Sequence, residues 1–368
     1  MDGNAAENRR TTYLSDYRPS DFVISEIDLR FDLYDEVCNV SAQMQFTRSN
    51  TSAPTSPLRL GGDELELVSV QLQGSPLGPD QYRVTSSELV IPNVPDVFSL
   101  RVDTRIFPSR NTALMGLYLS GGTFCTQCEA EGFRRMTFML DRPDVLARYT
   151  TTIVAERERF PVLLSNGNCT DQGDAGAARH YATWKDPFPK PSYLFALVAG
   201  KLAFVEDQFV TFKGRKVALR IFVEPHNIDK CSHAMASLKR AMRWDEEVYG
   251  REYDLDIYMI VAVDDFNMGA MENKGLNLFN SKYVLARPET ATDADYQVIE
   301  AIIAHEYFHN WSGNRVTCRD WFQLSLKEGF TVFRDQEFTS DMHSRAVKRI
   351  QDVNILRNQQ FREDGGPM

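Results

Sequence analysis

The feature that most constrains this chain is the run AIIAHEYFHNW at residues 301–311, which places two histidines four residues apart with a glutamate directly after the first. On an α-helix, residues four apart lie on one face, with Cβ atoms about 5–6 Å apart. His305 and His309 can therefore direct both imidazoles at one tetrahedral cation, as zinc requires with bonds of ~2.0–2.1 Å to nitrogen. Glu306 lies beside that position, where it can face a water molecule. The pentapeptide alone is also compatible with an ordinary helix that contains two histidines.

A third candidate ligand is Glu328, which follows His309 after a gap of eighteen residues. A turn through residues 311–320 can fold a second helix, starting near Gln323, back against the first. Two histidines and one glutamate leave one coordination position open, which is typical of catalytic rather than structural zinc sites. The alternative for Glu328 is a solvated carboxylate on a helix face.

The distribution of apolar residues predicts two regions of different structure. In EIDLRFDL (26–33) apolar and charged residues alternate, which is typical of a strand with one exposed face. Further strand-like runs, separated by turns rich in glycine and proline, continue to about residue 205. Helical spacing appears only from about residue 225. We therefore predict a β domain over residues 1–201 and a mixed domain over residues 202–368, an α+β chain.

Local signals predict where the helices of the second region begin and end. Asn227 is a candidate cap for a helix that closes before Gly250. Thr292 and Asp295 form a capping-box pattern, which predicts the start of the helix that carries the histidines. Gly313 is expected to end that helix.

Composition and targeting signals limit the classes of partner. The net charge of −10, with no basic run, argues against a nucleic-acid or anionic-membrane partner. The amino-terminal segment has no apolar signal region, and no run is long enough to span a membrane, so we expect a cytoplasmic protein. Six scattered cysteines do not form a disulfide framework, and Cys125 and Cys128 are expected to be reduced thiols.

Several longer motifs resemble one family. GAMEN (269–273), CTQCEAEGFRR (125–135) and LLSNGN (163–168) accompany the histidine motif and Glu328 in the same order as in gluzincin zinc aminopeptidases of the aminopeptidase N (alanyl aminopeptidase) type. The similarity runs from about Tyr17 to the end and is greatest to the bacterial and protozoan branch. It implies a saddle-like all-β domain followed by a thermolysin-like metallopeptidase domain. It also implies one zinc ion per chain, a monomer, and peptide substrates with a free N-terminus.

The same resemblance assigns roles to individual residues. Glu306 is implied to be the general base that activates water. Two carboxylates are implied to hold the α-ammonium of the substrate by charge-assisted hydrogen bonds. These substrate-binding residues are Glu272 and Glu129, with Gln127 beside them. The remaining residues implied to line the substrate site are Met268, Gly269, Ala270, Met271 and Asn273. Candidates to orient the zinc histidines from outside are Glu300, Asp320 and Asp335.

The chain departs from the family pattern in one respect, because no tyrosine follows Tyr307. In the family a later tyrosine stabilises the tetrahedral intermediate, and losing one such donor typically costs ~10²–10³ in rate. We therefore expect a catalytic domain truncated at its C-terminal end. The alternatives are a non-catalytic zinc-binding fragment, an endopeptidase, and the epoxide-hydrolysing branch, whose glycine-rich motif differs from GAMEN at its second position.

Overall fold

The computed structural model describes residues 11–366. The first ten residues, which are part of the segment predicted to lack a signal region, lie outside this range. Twenty strands and five α-helices are present in it. The first fifteen strands are β1 (Phe22–Leu33), β2 (Cys38–Arg48), β3 (Leu58–Gly61), β4 (Glu66–Leu72), β5 (Ser75–Pro76), β6 (Arg83–Val84), β7 (Glu88–Ile91), β8 (Val97–Ile106), β9 (Gly116–Ser120), β10 (Thr123–Gln127), β11 (Arg148–Glu156), β12 (Val162–Ser165), β13 (Asn168–Gly176), β14 (Arg179–Lys185) and β15 (Leu197–Gly200). The remaining strands are β16 (Ala203–Val210), β17 (Lys216–Val223), β18 (Ile257–Val263), β19 (Ala270–Met271) and β20 (Leu276–Asn280). The α-helices are α1 (Ser232–Tyr249), α2 (Asp293–Phe308), α3 (Leu324–Met342), α4 (Arg345–Ile355) and α5 (Phe361–Asp364).

The first fifteen strands form three sheets. The largest has the order β13-β14-β11-β1-β2-β8-β4-β5, beside a four-stranded sheet (β12-β15-β10-β9) and a three-stranded sheet (β3-β7-β6). The alternation predicted for β1 is present, since Ile27, Leu29 and Phe31 are buried while Asp28 and Arg30 are exposed. One face of this strand therefore supplies the core, as a period of two requires.

The last five strands form a separate sheet in the order β16-β17-β18-β20-β19. Its central strand β18 is almost wholly buried because both faces are covered. Met259 and Val261 lie in the core formed with the amino-terminal sheets. Tyr258 and Ile260 face the opposite way, into the core formed with α1 and α2. Sheets thus dominate the first 200 residues and helices follow, so the α+β class is confirmed; the division at 201/202 stays a prediction.

The helix boundaries agree with the sequence where local chemistry sets them. The capping box is present, because Thr292 Oγ1 accepts a hydrogen bond from Asp295 N and Asp295 accepts one from Thr292 N. Helix α3 begins at Leu324, next to the predicted Gln323. Helix α1, however, begins at Ser232 rather than at Asn227, because a 3₁₀ helix over Pro225–Lys230 precedes it.

Two further sequence expectations concern cysteines and membranes. All six cysteines are free thiols, Cys125 and Cys128 among them. Within residues 11–366, no helix has both the length and the apolar character needed to cross a bilayer.

Candidate functional site

The two histidines and Glu328 converge on one point between α2 and α3. The Nε2 atoms of His305 and His309 lie 2.9 Å apart. Glu328 Oε2 lies 3.3 Å from the first of these nitrogens and 3.4 Å from the second. Tetrahedral zinc with bonds of about 2.0–2.2 Å has ligand atoms roughly 3.3–3.5 Å apart. The two Glu328 distances match this spacing, whereas the 2.9 Å between the imidazole nitrogens is shorter than it. The donor set therefore fits one zinc ion once the two imidazoles move slightly apart.

Hydrogen bonds on the far side of each imidazole orient this pair. His309 Nδ1 donates to the backbone oxygen of Ser312 over 2.8 Å, which leaves its Nε2 with a free lone pair. His305 Nδ1 bonds to Asp335 Oδ2 over 2.7 Å. Burial lowers the pKa of His305, but hydrogen bonds to Asp335 and Glu328 outweigh it and raise that pKa well above its usual range. The surroundings of His305 thus favour positive charge, which can be a proton or a bound cation.

The carboxyl of Glu328 is held in its ionised form by the same arrangement. Burial raises its pKa, but the close contacts with the two imidazoles and the nearby ammonium of Lys327 lower the pKa well below its usual range. An ionised carboxylate is what a metal ligand requires.

Of the three carboxylates considered as orienting partners, the structure brings Asp335 to the histidines. Glu300 instead bonds to Arg240 and His343. Asp320 caps the 3₁₀ turn before α3 by accepting from Phe322 N over 3.0 Å.

We expect Asp335→Asn to weaken zinc binding by about 10- to 100-fold, because His305 loses the carboxylate that orients it and raises its basicity. Competition with a chromogenic chelator measures this affinity. Glu337→Gln, on a part-exposed residue of the same helix, is the matched control and should leave zinc affinity unchanged. Equal affinities in both variants would contradict the role of Asp335.

A second cluster of charges lies next to the metal candidates. Lys327 Nζ donates to Glu129 Oε1 over 2.6 Å and also bonds to Glu272 Oε1. Its distance to Glu328 Oε1 is 3.1 Å. Glu129 comes from the turn after β10 and Glu272 from the loop after β19, so both halves of the chain contribute. Within residues 11–366, Lys327 bonds to the Oε1 atoms of Glu129 and Glu272, which leaves the Oε2 atom of each for another donor.

The charges of Glu129, Glu272 and Lys327 alter the pKa values of the two carboxyl groups. Burial and the charge of Glu272 raise the pKa of Glu129 to about 7, while the ammonium of Lys327 opposes this. Burial raises the pKa of Glu272 as well, but the charges of Lys327 and His309 outweigh it and lower that pKa. The cluster is therefore a buried region of negative potential, partly neutralised by one ammonium.

Lys327 was not predicted as a functional residue. A lysine beside a glutamate on a helix is typically solvated, and nothing local in the sequence distinguishes it. Its two carboxylate partners lie 198 and 55 residues away along the chain. Its position directly before Glu328 is the one signal that could have drawn attention to it.

Glu306 lies on α2 with its carboxyl turned into the same region. Its Oε2 atom is buried and has no hydrogen-bond partner in the part of the chain that the structure describes. Burial and the charges of Glu272 and Glu328 raise its pKa to about 8, although His305 opposes the shift. A carboxyl with this pKa can gain and lose a proton near neutral pH.

The other predicted substrate-site residues surround the edge strand β19. Ala270 and Met271 pair with β20 on one side, and on the other side no strand pairs with them in the described range 11–366. Gly269 supports the turn by accepting from Asn280 N over 3.0 Å. Met268 is half-exposed at the start of this segment. An extended peptide can add to such an open edge.

Two predicted amides stand close to this region with unused hydrogen-bonding capacity. Gln127 Nε2 donates to Glu129 O over 3.2 Å, whereas its Oε1 is buried without a partner among the residues described. Neither the Oδ1 nor the Nδ2 atom of Asn273 has a partner within the same range. Both amides are buried, so this unused capacity faces the interior.

Comparisons with known proteins give matches over most of the chain. The model of the peptidase M1 N-terminal domain matches residues 27–194, and the model of the peptidase family M1 domain matches residues 233–365. Aminopeptidase N of Escherichia coli is 59% identical over 356 residues, which are 97% of this chain and 40% of that protein. Aminopeptidase N of Caulobacter vibrioides is 58% identical over 355 residues, covering 96% of this chain and 41% of the relative.

A solved structure shows the same fold. The crystal structure of Legionella pneumophila aminopeptidase A in complex with aspartic acid superposes with a TM-score of 0.90 at 39% identity. The match covers 93% of this chain and 40% of that one. The chain thus spans about two fifths of the length of the relatives it matches.

Proposed function

The chain belongs to peptidase family M1, and on this premise we propose that it is a zinc-dependent aminopeptidase that releases N-terminal amino acids from peptides. His305, His309 and Glu328 hold one zinc ion in this proposal. Glu129 and Glu272 hold the α-ammonium of the substrate. The observation that carries the proposal is the short distance between these two groups.

That distance supports an exopeptidase rather than an endopeptidase. Glu272, Glu306 and His309 each offer a ligand atom within 4.8 Å of the other two. One extended residue spans about 3.3–3.6 Å, so a single residue fits between the ammonium-binding carboxylates and the metal ligands. An endopeptidase would need the polypeptide to continue past Glu272, whose carboxylate is buried and bonded to Lys327.

In this proposal, different residues of the chain carry out different steps of peptide hydrolysis. When bound, zinc would act as a Lewis acid, which lowers the pKa of water and polarises the scissile carbonyl. Glu306 accepts a proton from the attacking water and delivers it to the nitrogen of the leaving peptide. Glu129 and Glu272 accept hydrogen bonds from the α-ammonium through the oxygens that Lys327 leaves free. Met268 adapts its flexible thioether to the first side chain.

Hydrolysis of L-alanyl p-nitroanilide by the full chain tests this function. We expect turnover that 1,10-phenanthroline abolishes and added zinc restores, and no turnover of the N-acetylated anilide. Turnover that resists the chelator would overturn the proposal. Folded, zinc-loaded protein without turnover would favour the alternative of a non-catalytic zinc-binding chain.

We expect Glu272→Gln to lower kcat/KM for the free-amine anilide about 10- to 100-fold, because a charge-assisted hydrogen bond to the ammonium is lost. Glu131→Gln changes an exposed glutamate near Glu129 and should have no such effect. If Glu272→Gln kept full activity on the free-amine substrate, Glu272 would not bind the amine.

A further inference from the structure

Two short segments are joined directly behind the site. One is the segment 272–274, which begins with the amine-binding Glu272, and the other is the segment 310–314, which follows the metal candidate His309. Lys274 Nζ donates to Asn310 Oδ1 over 2.8 Å. Asn314 Nδ2 donates to the backbone oxygen of Glu272 over 2.8 Å. The amine-binding segment is thus bonded twice to the segment that follows the histidine helix.

Asp254 completes this connection. Lys274 Nζ lies 2.9 Å from Asp254 Oδ1 and 3.1 Å from Oδ2. Asn310 Nδ2 donates to Asp254 Oδ1 over 3.1 Å. Lys274, Asp254 and Asn310 therefore form a closed triangle in which each pair of side chains is hydrogen-bonded. Arg315 adds a weaker contact to Asp254 at 3.4 Å.

Two members of the triangle are buried, and the third, Asp254, is partly exposed. Lys274 is 2% exposed and Asn310 is 3% exposed. Removing an ammonium from water is costly, and a buried ion pair is often no more stabilising than apolar side chains of the same volume. General stability therefore does not require a charged network here. Directional bonds of fixed length do, however, define a separation between two segments better than apolar contacts.

We propose that Lys274 is a positioning residue whose bridge to Asn310 and Asp254 sets the distance between the ammonium-binding Glu272 and the metal-binding His309. This inference rests on the proposed function and extends it, since the bridge determines that one residue fits between the two groups. Lys274 acts through its neighbours and does not itself contact substrate. A misplacement of about 1 Å between binding groups can cost ~100-fold in rate or affinity.

Two probes separate positioning from general stability. Acetohydroxamate binds zinc and has no amine, whereas L-alanine hydroxamate carries the same zinc-binding group together with a free amine. Calorimetric titration of the zinc-loaded full chain gives both dissociation constants. Their ratio measures how well the amine and zinc sites are used together.

In the unmodified chain, we expect L-alanine hydroxamate to bind at least about 10-fold more tightly than acetohydroxamate. In Lys274→Met this ratio should fall at least about 5-fold, toward a value of 1, while zinc content and acetohydroxamate affinity stay within twofold. Lys282→Met, on the exposed side of the neighbouring turn, should keep the original ratio. A merely structural role for Lys274 would weaken both probes equally.

The outcomes distinguish the two proposals. An unchanged ratio in Lys274→Met would overturn the positioning role and leave the proposed function standing. If acetohydroxamate did not bind the unmodified chain, or if both probes bound it equally, the zinc or amine site would be wrong and the positioning role with it. Should Lys274→Met fail to fold, Lys274→Gln keeps a polar group in the triangle, shortens the bridge and gives the same readout.

Discussion

Replacing Glu306 with glutamine is expected to reduce kcat at least about 100-fold while zinc stays bound, the loss usual when a general base is removed. The substitution keeps the shape of the side chain but removes the group that accepts a proton. Glu306 is buried on α2 beside the converging histidines. Its Oε2 atom makes no hydrogen bond within residues 11–366, so this oxygen has no structural role there.

Two measurements make this result interpretable. Zinc content by atomic absorption should equal that of the unmodified chain, and L-alanine hydroxamate should still bind. Asp293→Asn, at the exposed start of the same helix, serves as the control for a charge change on α2 and should retain full activity. Undiminished turnover by zinc-loaded Glu306→Gln would contradict the general-base role of Glu306.

The second large effect is expected for His305→Ala, which should lower zinc affinity by roughly 100-fold or more. Structural zinc sites with four protein ligands bind the ion with about 10–16 kcal/mol. One quarter of that free energy corresponds to a loss of roughly 100-fold or more in affinity for each ligand removed. Activity should fall in parallel at limiting zinc. Equilibrium dialysis against a metal buffer measures the affinity.

His305 is the informative choice because it belongs to one candidate ligand set only. The structure also gathers Glu272, Glu306 and His309, and a third group of Glu129, Glu272 and Glu328. Unchanged zinc affinity in His305→Ala would point to one of those alternatives. His226→Ala, at an exposed histidine, controls for the loss of an imidazole.

The parts of the site that follow from local geometry were accessible from the sequence. Four-residue spacing on a helix brings His305 and His309 together whatever the rest of the chain does. The capping box at Thr292 depends on residues three apart and is present as predicted. Such features need no knowledge of the tertiary structure.

Features that depend on distant residues were not accessible. Helix α2 ends at Phe308 rather than at Gly313, and the carbonyl of Phe308 accepts a bond from Arg334, which lies on the next helix. The role of Lys327 depends in the same way on carboxylates far away in the sequence. Periodicity and capping rules describe neighbours along the chain, so they miss contacts of this kind.

The core that joins the amino-terminal sheets to β18 has a consequence for how the molecule unfolds. Phe31 of the first sheet and Val261 of β18 belong to one continuous hydrophobic cluster. Opening the boundary between the two predicted domains exposes apolar surface on both sides, which couples their unfolding into one cooperative transition. Glu129 and Glu272 approach each other across this boundary. The apolar core that joins the two predicted domains therefore also holds together the parts of the chain that carry these two carboxylates.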